Sequence, residues 1–249
     1  MDNYIVYGIG HRGGGLEMSR SIYLDGEYAK LNPSFGVEDS PWKAGQVLKA
    51  IQRNGLAPRS VCEVGCGAGE ILRQVQDALA PGIAFEGYDI SPDAYREAQT
   101  RQNEQLRFHC VDFLTTPTRM YDLLLCLDVF EHVPDYLGFL EALRSRAEYK
   151  MFHIPLDLSV QWLLRVKPIL KERAMVGHLH HFTQETALGT LAWTGHKIMD
   201  WFYTAGSLDL PDKSLYQRLA RLPRRIAYGI SPDLTVRILG GYALLVVTR

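Results

Sequence analysis

From Ser60 onward, short runs of apolar and β-branched residues alternate with longer stretches in which apolar positions recur every three or four residues. The short runs fit buried strands and the longer ones fit helices with one buried stripe, so the alternation predicts βαβ units and a doubly wound, mostly parallel α/β sheet. Strands are expected at 60–64, 84–88, 106–111, 121–127 and 150–154, with helices at 69–79, 92–102 and 136–146. Helix starts agree with this scheme. Ser91 offers a capping hydroxyl ahead of Pro92, and Pro134-Asp135 stands in the same relation to Tyr136. Upstream, Ser40-Pro41-Trp42 opens a helix with Val47, Leu48 and Ile51 on one side, closed by Asn54-Gly55.

Beyond residue 155 the alternation breaks. Residues 156–182 are rich in Leu, Trp and His and hold a helix-like segment at 160–166 that Pro168 is expected to stop, which reads as an insertion over a functional crevice. A helix follows at 183–192 with Thr183 as its cap, and 197–203 and 242–248 read as two further strands. Between those strands, residues 211–232 carry Arg218, Arg221, Arg224 and Arg225 beside Leu215, Leu219 and Leu222. That stretch is read as a helix with its arginines in solvent, the alternatives being contact with an anionic substrate or an acidic lipid surface.

Composition narrows the class. A chain of 249 residues, 47% hydrophobic and 22% charged, suits one ordinary globular α/β domain. A net charge of −1 gives no overall basic footprint for nucleic acid, so none is expected as a partner. No apolar run approaches the roughly 20 residues of a membrane span, and the first residues lack the pattern of a secretory signal, so a cytoplasmic protein is expected. Cys62, Cys66, Cys110 and Cys126 form no CxxC pair and read as reduced thiols.

The candidate chemistry starts at Val61-Cys62-Glu63-Val64-Gly65-Cys66-Gly67-Ala68-Gly69-Glu70, a strand ending in an acid and running into a glycine-rich turn that opens a helix. Glycines there permit positive φ and let a ligand approach the main chain. A dinucleotide is disfavoured, because Glu70 occupies the third glycine position and would put negative charge where a pyrophosphate sits. Three more strands close on acids: Asp89 after 84–88, at the spacing of a ribose-binding carboxylate; Asp112, followed by Phe113, after 106–111; and Asp128, followed by Glu131 and His132, after 121–127.

These four segments, in this order, resemble motifs I, post-I, II and IV of the class I S-adenosylmethionine-dependent methyltransferases, with Asp-Val-Phe-Glu-His-Val at 128–133 similar to the small-molecule branch. The resemblance covers about residues 40–155 and implies a Rossmann-like sheet of seven strands with a reversed hairpin at one edge. It also implies S-adenosylmethionine as cofactor. It assigns Glu63, Gly65 and Gly67 to the amino-acid end of the cofactor, Asp89 and Ile90 to ribose and adenine, Asp112 and Phe113 to adenine, and Leu127 and Asp128 to the methionyl part. Cys66, Gly69 and Val129 complete the expected cofactor set. One domain over 1–249 follows, with an N-terminal helical cap at about 1–55, a cofactor-binding half at 56–155 and an acceptor-side half with lid segments at 156–249.

The expected activity is methyl transfer to a small-molecule acceptor, a hydroxyl or an amine, with a non-catalytic cofactor-binding or regulatory protein as the alternative. If the acceptor must lose a proton, His132 and the histidines of Gly177-His178-Leu179-His180-His181-Phe182 are the candidate bases, His178 and His181 among them. Each could equally be structural. No metal is expected, because the histidine cluster has no acid near it in sequence. Lys43 reads as a surface lysine, with pairing to the cofactor carboxylate as the other reading, and a homodimer is left open.

Overall fold

The computed structural model describes residues 22–211 and 215–249. Its sheet contains β1 (Ser60–Val64), β2 (Ala84–Asp89), β3 (Leu106–Cys110), β4 (Tyr121–Leu127), β5 (Ala147–Pro155), β6 (Ile198–Thr204) and β7 (Ala243–Thr248), in the order β3-β2-β1-β4-β5-β7-β6. All neighbours are parallel except β7, which runs antiparallel to both β5 and β6. The two late strands therefore form the reversed hairpin.

Alternation along the strands divides the core between the two faces. From β4, Leu123, Leu125 and Leu127 join Val61, Met151, Leu245 and Val247 beneath the helices α2 (Ser40–Arg53) and α3 (Glu70–Ala78). Leu124 and Cys126 join Phe152, Ile154 and Val246 beneath α5 (Tyr136–Leu143) and α8 (Gln184–Trp193). A strand covered on both faces must be apolar at consecutive positions, which is why Leu123 to Leu127 lacks alternation.

Local chemistry sets the helix starts. Ser91 caps α4 (Pro92–Gln99) by accepting from the Ala94 amide at 3.3 Å, and Thr183 forms a reciprocal capping box with Thr186 at the head of α8. Asp135 accepts from the Gly138 amide at 3.0 Å at the head of α5. Other boundaries differ from expectation. Helix α4 ends at Gln99, three residues early, because Arg101 and Gln102 bond back to the carbonyls of Ala98 and Gln99 in tighter turns. Strand β5 starts three residues early at Ala147, where pairing with Tyr121 of β4 extends it beyond its apolar stretch.

The insertion forms α6 (Val160–Arg165) and α7 (Lys167–Met175), joined at Val166 with φ 55. The first helix ends at Arg165, ahead of Pro168 as expected; Pro168 itself lies in the first turn of α7, where its missing N–H costs nothing. The N-terminal part contributes α1 (Glu27–Leu31), and the last part α9 (Gly206–Asp209), α10 (Leu215–Ile230) and α11 (Pro232–Ile238). Helix α10 departs from the expected face in part: Arg218 and Arg225 are exposed, but Arg221, Arg224 and Arg225 bond to the carbonyls of Leu210, Gly240 and Leu208, and the leucines stand in solvent as well. Long guanidinium arms thereby supply donors to backbone carbonyls at the end of α9 and just before β7.

Gly69 enters α3 with φ 76, and a Cβ there would stand 2.3 Å from the Phe108 ring. Gly69→Ala is expected to lower unfolding free energy by about 2–4 kcal/mol through strain and overpacking together, read as a lower midpoint in urea at unchanged slope.

Candidate functional site

The carboxyl ends of β1, β2 and β4 open onto a cavity of about 1820 Å³. Strand order reverses between β1 and β4, and a crevice at such a switch point is where open α/β sheets bind ligands. Ordinary small-molecule pockets run to roughly 1,000 Å³, so this one has room for two ligands side by side.

At one end lies the glycine turn. The amides of Gly65 and Cys66 donate to the carbonyl of Tyr88, at 2.8 and 3.1 Å, and the Gly67 amide donates to Asp89 Oδ2 at 2.8 Å. Gly67 has φ 52, and nothing but the Phe35 carbonyl, 3.9 Å away, would meet a Cβ there; this stretch of backbone is bare toward the cavity. Asp89 also accepts from the Ser91 amide at 2.8 Å. Burial pushes its carboxyl up, against the pull of these amides. Two amides leave lone pairs of the carboxylate free for further donors.

Next to the turn, a charged chain crosses the cavity wall. Lys43 Nζ lies 2.6 Å from Asp128 Oδ2, Asp128 Oδ1 lies 2.6 Å from His153 Nδ1, and His153 Nε2 lies 2.8 Å from Thr204 Oγ1. Burial alone would raise Asp128; His153 and Lys43 outweigh it and hold the carboxyl well below the usual range. Lys43 is thus part of the cavity, not a plain surface lysine. Glu63, at the tip of β1, is 1% exposed with Oε2 unpartnered, and burial raises its carboxyl despite Lys43.

The far end holds the histidines. Asp157 Oδ2 sits 2.8 Å from His178 Nδ1 and 3.3 Å from His181 Nδ1. Burial would raise Asp157, and those two bonds keep it low. His132 faces His178 edge-on with ring centroids 4.8 Å apart, and burial together with His178 pushes it down to about 4. His132 is therefore neutral near pH 7. Glu131 is 1% exposed with both carboxylate oxygens unpartnered, and burial followed by the charge of Asp128 raises it well above the ordinary value. The acid that the histidines lack in sequence is supplied in space, since Glu131, His132 and His178, and likewise Asp157, His178 and His181, bring donor atoms within 4.8 Å of one another. The Nδ1 atoms of His178 and His181 are taken by Asp157, which leaves Nε2 of His178 as the outward nitrogen of a carboxylate-oriented imidazole.

The cavity wall includes Glu63, Gly65, Cys66, Gly67, Asp89 and Ile90, then Asp112 and Phe113, then Leu127, Asp128 and Val129, with His132 and His178 opposite. Gly69 and His181 do not reach it. Gly69 backs onto Phe108, and His181 stands behind Asp157. Phe113 reaches the cavity, but its ring is 3% exposed and packed between Tyr88 and the Arg146 guanidinium. Asp112 caps the turn Phe113–Thr115 by accepting from the Leu114 amide at 3.0 Å.

Residues missed in sequence include His153, Asp157 and Tyr23. The first two flank the end of β5, the same strand-tip position that singled out Asp89 and Asp128, so a signal existed. Tyr23 had none. Its hydroxyl donates to the Val176 carbonyl at 2.9 Å, and Asn32 Nδ2 donates to the Met175 carbonyl at 2.9 Å, tying the N-terminal segment to the end of α7 across the cavity.

A model of the family described as "Methyltransferase domain" matches residues 42–194. The ubiquinone biosynthesis O-methyltransferase of Histophilus somni is 30% identical over 105 residues, covering 38% of this chain, and the chain spans only 42% of that relative's own length. Among solved structures, the plantazolicin methyltransferase BpumL in complex with a monoazolic desmethylPZN analog and SAH superimposes with a TM-score of 0.62 at 18% identity, over 94% of this chain and 95% of that one. The magnesium protoporphyrin IX methyltransferase of Synechocystis PCC 6803 with bound SAM gives 0.59 at 17% identity, over 93% and 97%. At such identities the structures attest the fold.

A carboxyl held below its unfolded value stabilises the fold above about pH 4 and loses that contribution as pH falls through the folded value. Asp128→Asn is therefore expected to cost about 2–3 kcal/mol at pH 7 by leaving Lys43 and His153 without their carboxylate, with the gap to wild type narrowing steadily as pH falls below about 4. Urea unfolding across that range checks it.

Proposed function

The chain belongs to the methyltransferase-domain family, and from that premise we propose that it transfers a methyl group from S-adenosylmethionine to a hydroxyl or amine of a small molecule. The observation that carries this reading is one cavity with two chemically distinct ends. Its fit to the cofactor rests on three features. Gly67 leaves the turn bare for close approach, Asp89 keeps acceptor capacity for ribose hydroxyls, and the orphaned oxygen of Glu63 suits a cationic amino group. The cofactor would supply an already activated methyl group on a sulfonium.

The chain's own residues then have two tasks. One is orientation, which can contribute roughly 7–11 kcal/mol when reacting groups are held in line. The strap of Tyr23 and Asn32 onto the end of α7 encloses the far end and supports that role. The other is to take a proton if the acceptor is a hydroxyl. His178 is the best placed base: Asp157 accepts its Nδ1–H, orients the ring and would stabilise the imidazolium as Nε2 takes the proton. His132 is the weaker candidate, since a group pushed down to about 4 has little affinity for a proton. The overall charge of −1 favours a small acceptor over a nucleic acid.

Asp89→Ala is expected to weaken S-adenosylhomocysteine binding roughly tenfold to a hundredfold, about 1.5–3 kcal/mol, in titration calorimetry. Unchanged affinity removes Asp89 from the cofactor site. With an acceptor found by incubating labelled S-adenosylmethionine with pooled hydroxy and amino compounds, His178→Ala should slow single-turnover methylation roughly 10²- to 10⁴-fold at unchanged cofactor affinity. Asp157→Asn should slow it in the same direction. A full rate in both variants means that no side-chain base acts.

A further inference from the structure

The helices on the acceptor side expose the residues that a globular helix normally hides. Along α10, Leu215, Leu219, Leu222, Ile226 and Ile230 recur at three- and four-residue spacing, and each is between 56% and 81% exposed. The opposite stripe faces the body: Arg224 donates to the Gly240 carbonyl at 2.7 Å, and Tyr228 stacks on Tyr242 with centroids 5.4 Å apart. Helix α11, packed against α10, exposes Leu234 and Ile238. Helix α6, packed against α11, exposes Val160, Leu163 and Leu164, and neither α6 nor α7 fully buries a single residue. An apolar surface of this extent on a soluble monomer marks an interaction site.

Charge identifies the partner. Residues 160–175 and 215–238 together hold nine lysines and arginines against two acids, Glu172 and Asp233, a net +7 within a chain of net −1; of these cations Arg237 is paired with Glu185 of α8. Arg165, Lys167, Lys171, Arg218 and Arg225 are exposed beside the aliphatic stripes. The hydrogen bonds from Arg224 and Arg225 go to neutral oxygens, so their charge is undiminished. We propose that this face docks on an anionic lipid bilayer, α10 lying in the interface with its leucines at the acyl boundary and the flanking cations among the headgroup phosphates. A second copy of the chain would set one strongly basic face against another. A nucleic acid would satisfy the cations and leave the aliphatic stripes in water.

The docking face adjoins the cavity. Trp162 lies on α6 between the exposed leucines and the cavity wall, and the far end of the cavity is where the acceptor enters the reading above. Resting on that reading, the acceptor is assigned as an amphipathic molecule drawn from the bilayer, its reactive head passing Trp162 to reach His178.

The experiment is flotation of the full chain with phosphatidylcholine vesicles, with and without phosphatidylglycerol, beside the double variant Leu219→Glu/Leu222→Glu. Both positions are about two-thirds exposed, so the fold does not depend on them. Wild type should float with the anionic vesicles alone, detach at high salt, and lose at least tenfold in partitioning in the variant, while both proteins bind S-adenosylhomocysteine equally. Failure to float, or equal flotation of the variant, overturns the proposal, as does a wild-type dimer that the variant converts to monomer. Loss of S-adenosylhomocysteine binding in both proteins, with flotation intact, overturns the methyl-transfer reading and leaves the docking face standing.

Discussion

The hydrogen bonds that tie the glycine turn after β1 to the tip of β2 are the constraint on which the site depends. Three consecutive amides, those of Gly65, Cys66 and Gly67, donate to the Tyr88 carbonyl and the Asp89 carboxylate. A turn with positive φ at its glycines carries amides that no helix or strand can use, and buried amides left unpaired would be costly. Pairing them with the neighbouring strand holds the backbone open toward the cavity and fixes Asp89 with lone pairs to spare. One set of bonds therefore solves a folding problem and builds a binding surface.

Electrostatics then divides the cavity. At the turn end, Asp128 is ionised and clamped between Lys43 and His153. At the far end, Glu131 is driven toward neutrality and His132 is held neutral, leaving His178 with its Asp157 partner as the polar group of consequence. Burial has opposite outcomes at Asp128 and Glu131 because only Asp128 has the Lys43 ammonium within hydrogen-bond reach.

The part of the chain after β5 is built by another logic from the sheet. Its helices α6, α7 and α10 bury little, and arginines reaching backbone carbonyls anchor α10 in place of an apolar seam. Such an arrangement leaves aliphatic residues outward and gives the basic, apolar face argued above.

Local sequence was enough for the sheet and the glycine-turn end of the cavity. Strand and helix periodicity located five parallel strands to within a few residues, and the caps at Ser91 and Thr183 were legible because a cap is satisfied by amides two or three residues away. Acids at strand tips singled out Asp89, Asp112 and Asp128 for the same reason: in a parallel sheet every strand tip faces one crevice. Only the tertiary structure decided that Asp157 would orient His178 and His181, that Lys43 would pair with Asp128, that Tyr23 would cross to Val176, and that α10 would reach backbone carbonyls with Arg224 and Arg225. Those contacts join residues 16 to 153 positions apart. Their energies depend on which polar groups the fold leaves without partners, and local periodicity carries no record of that.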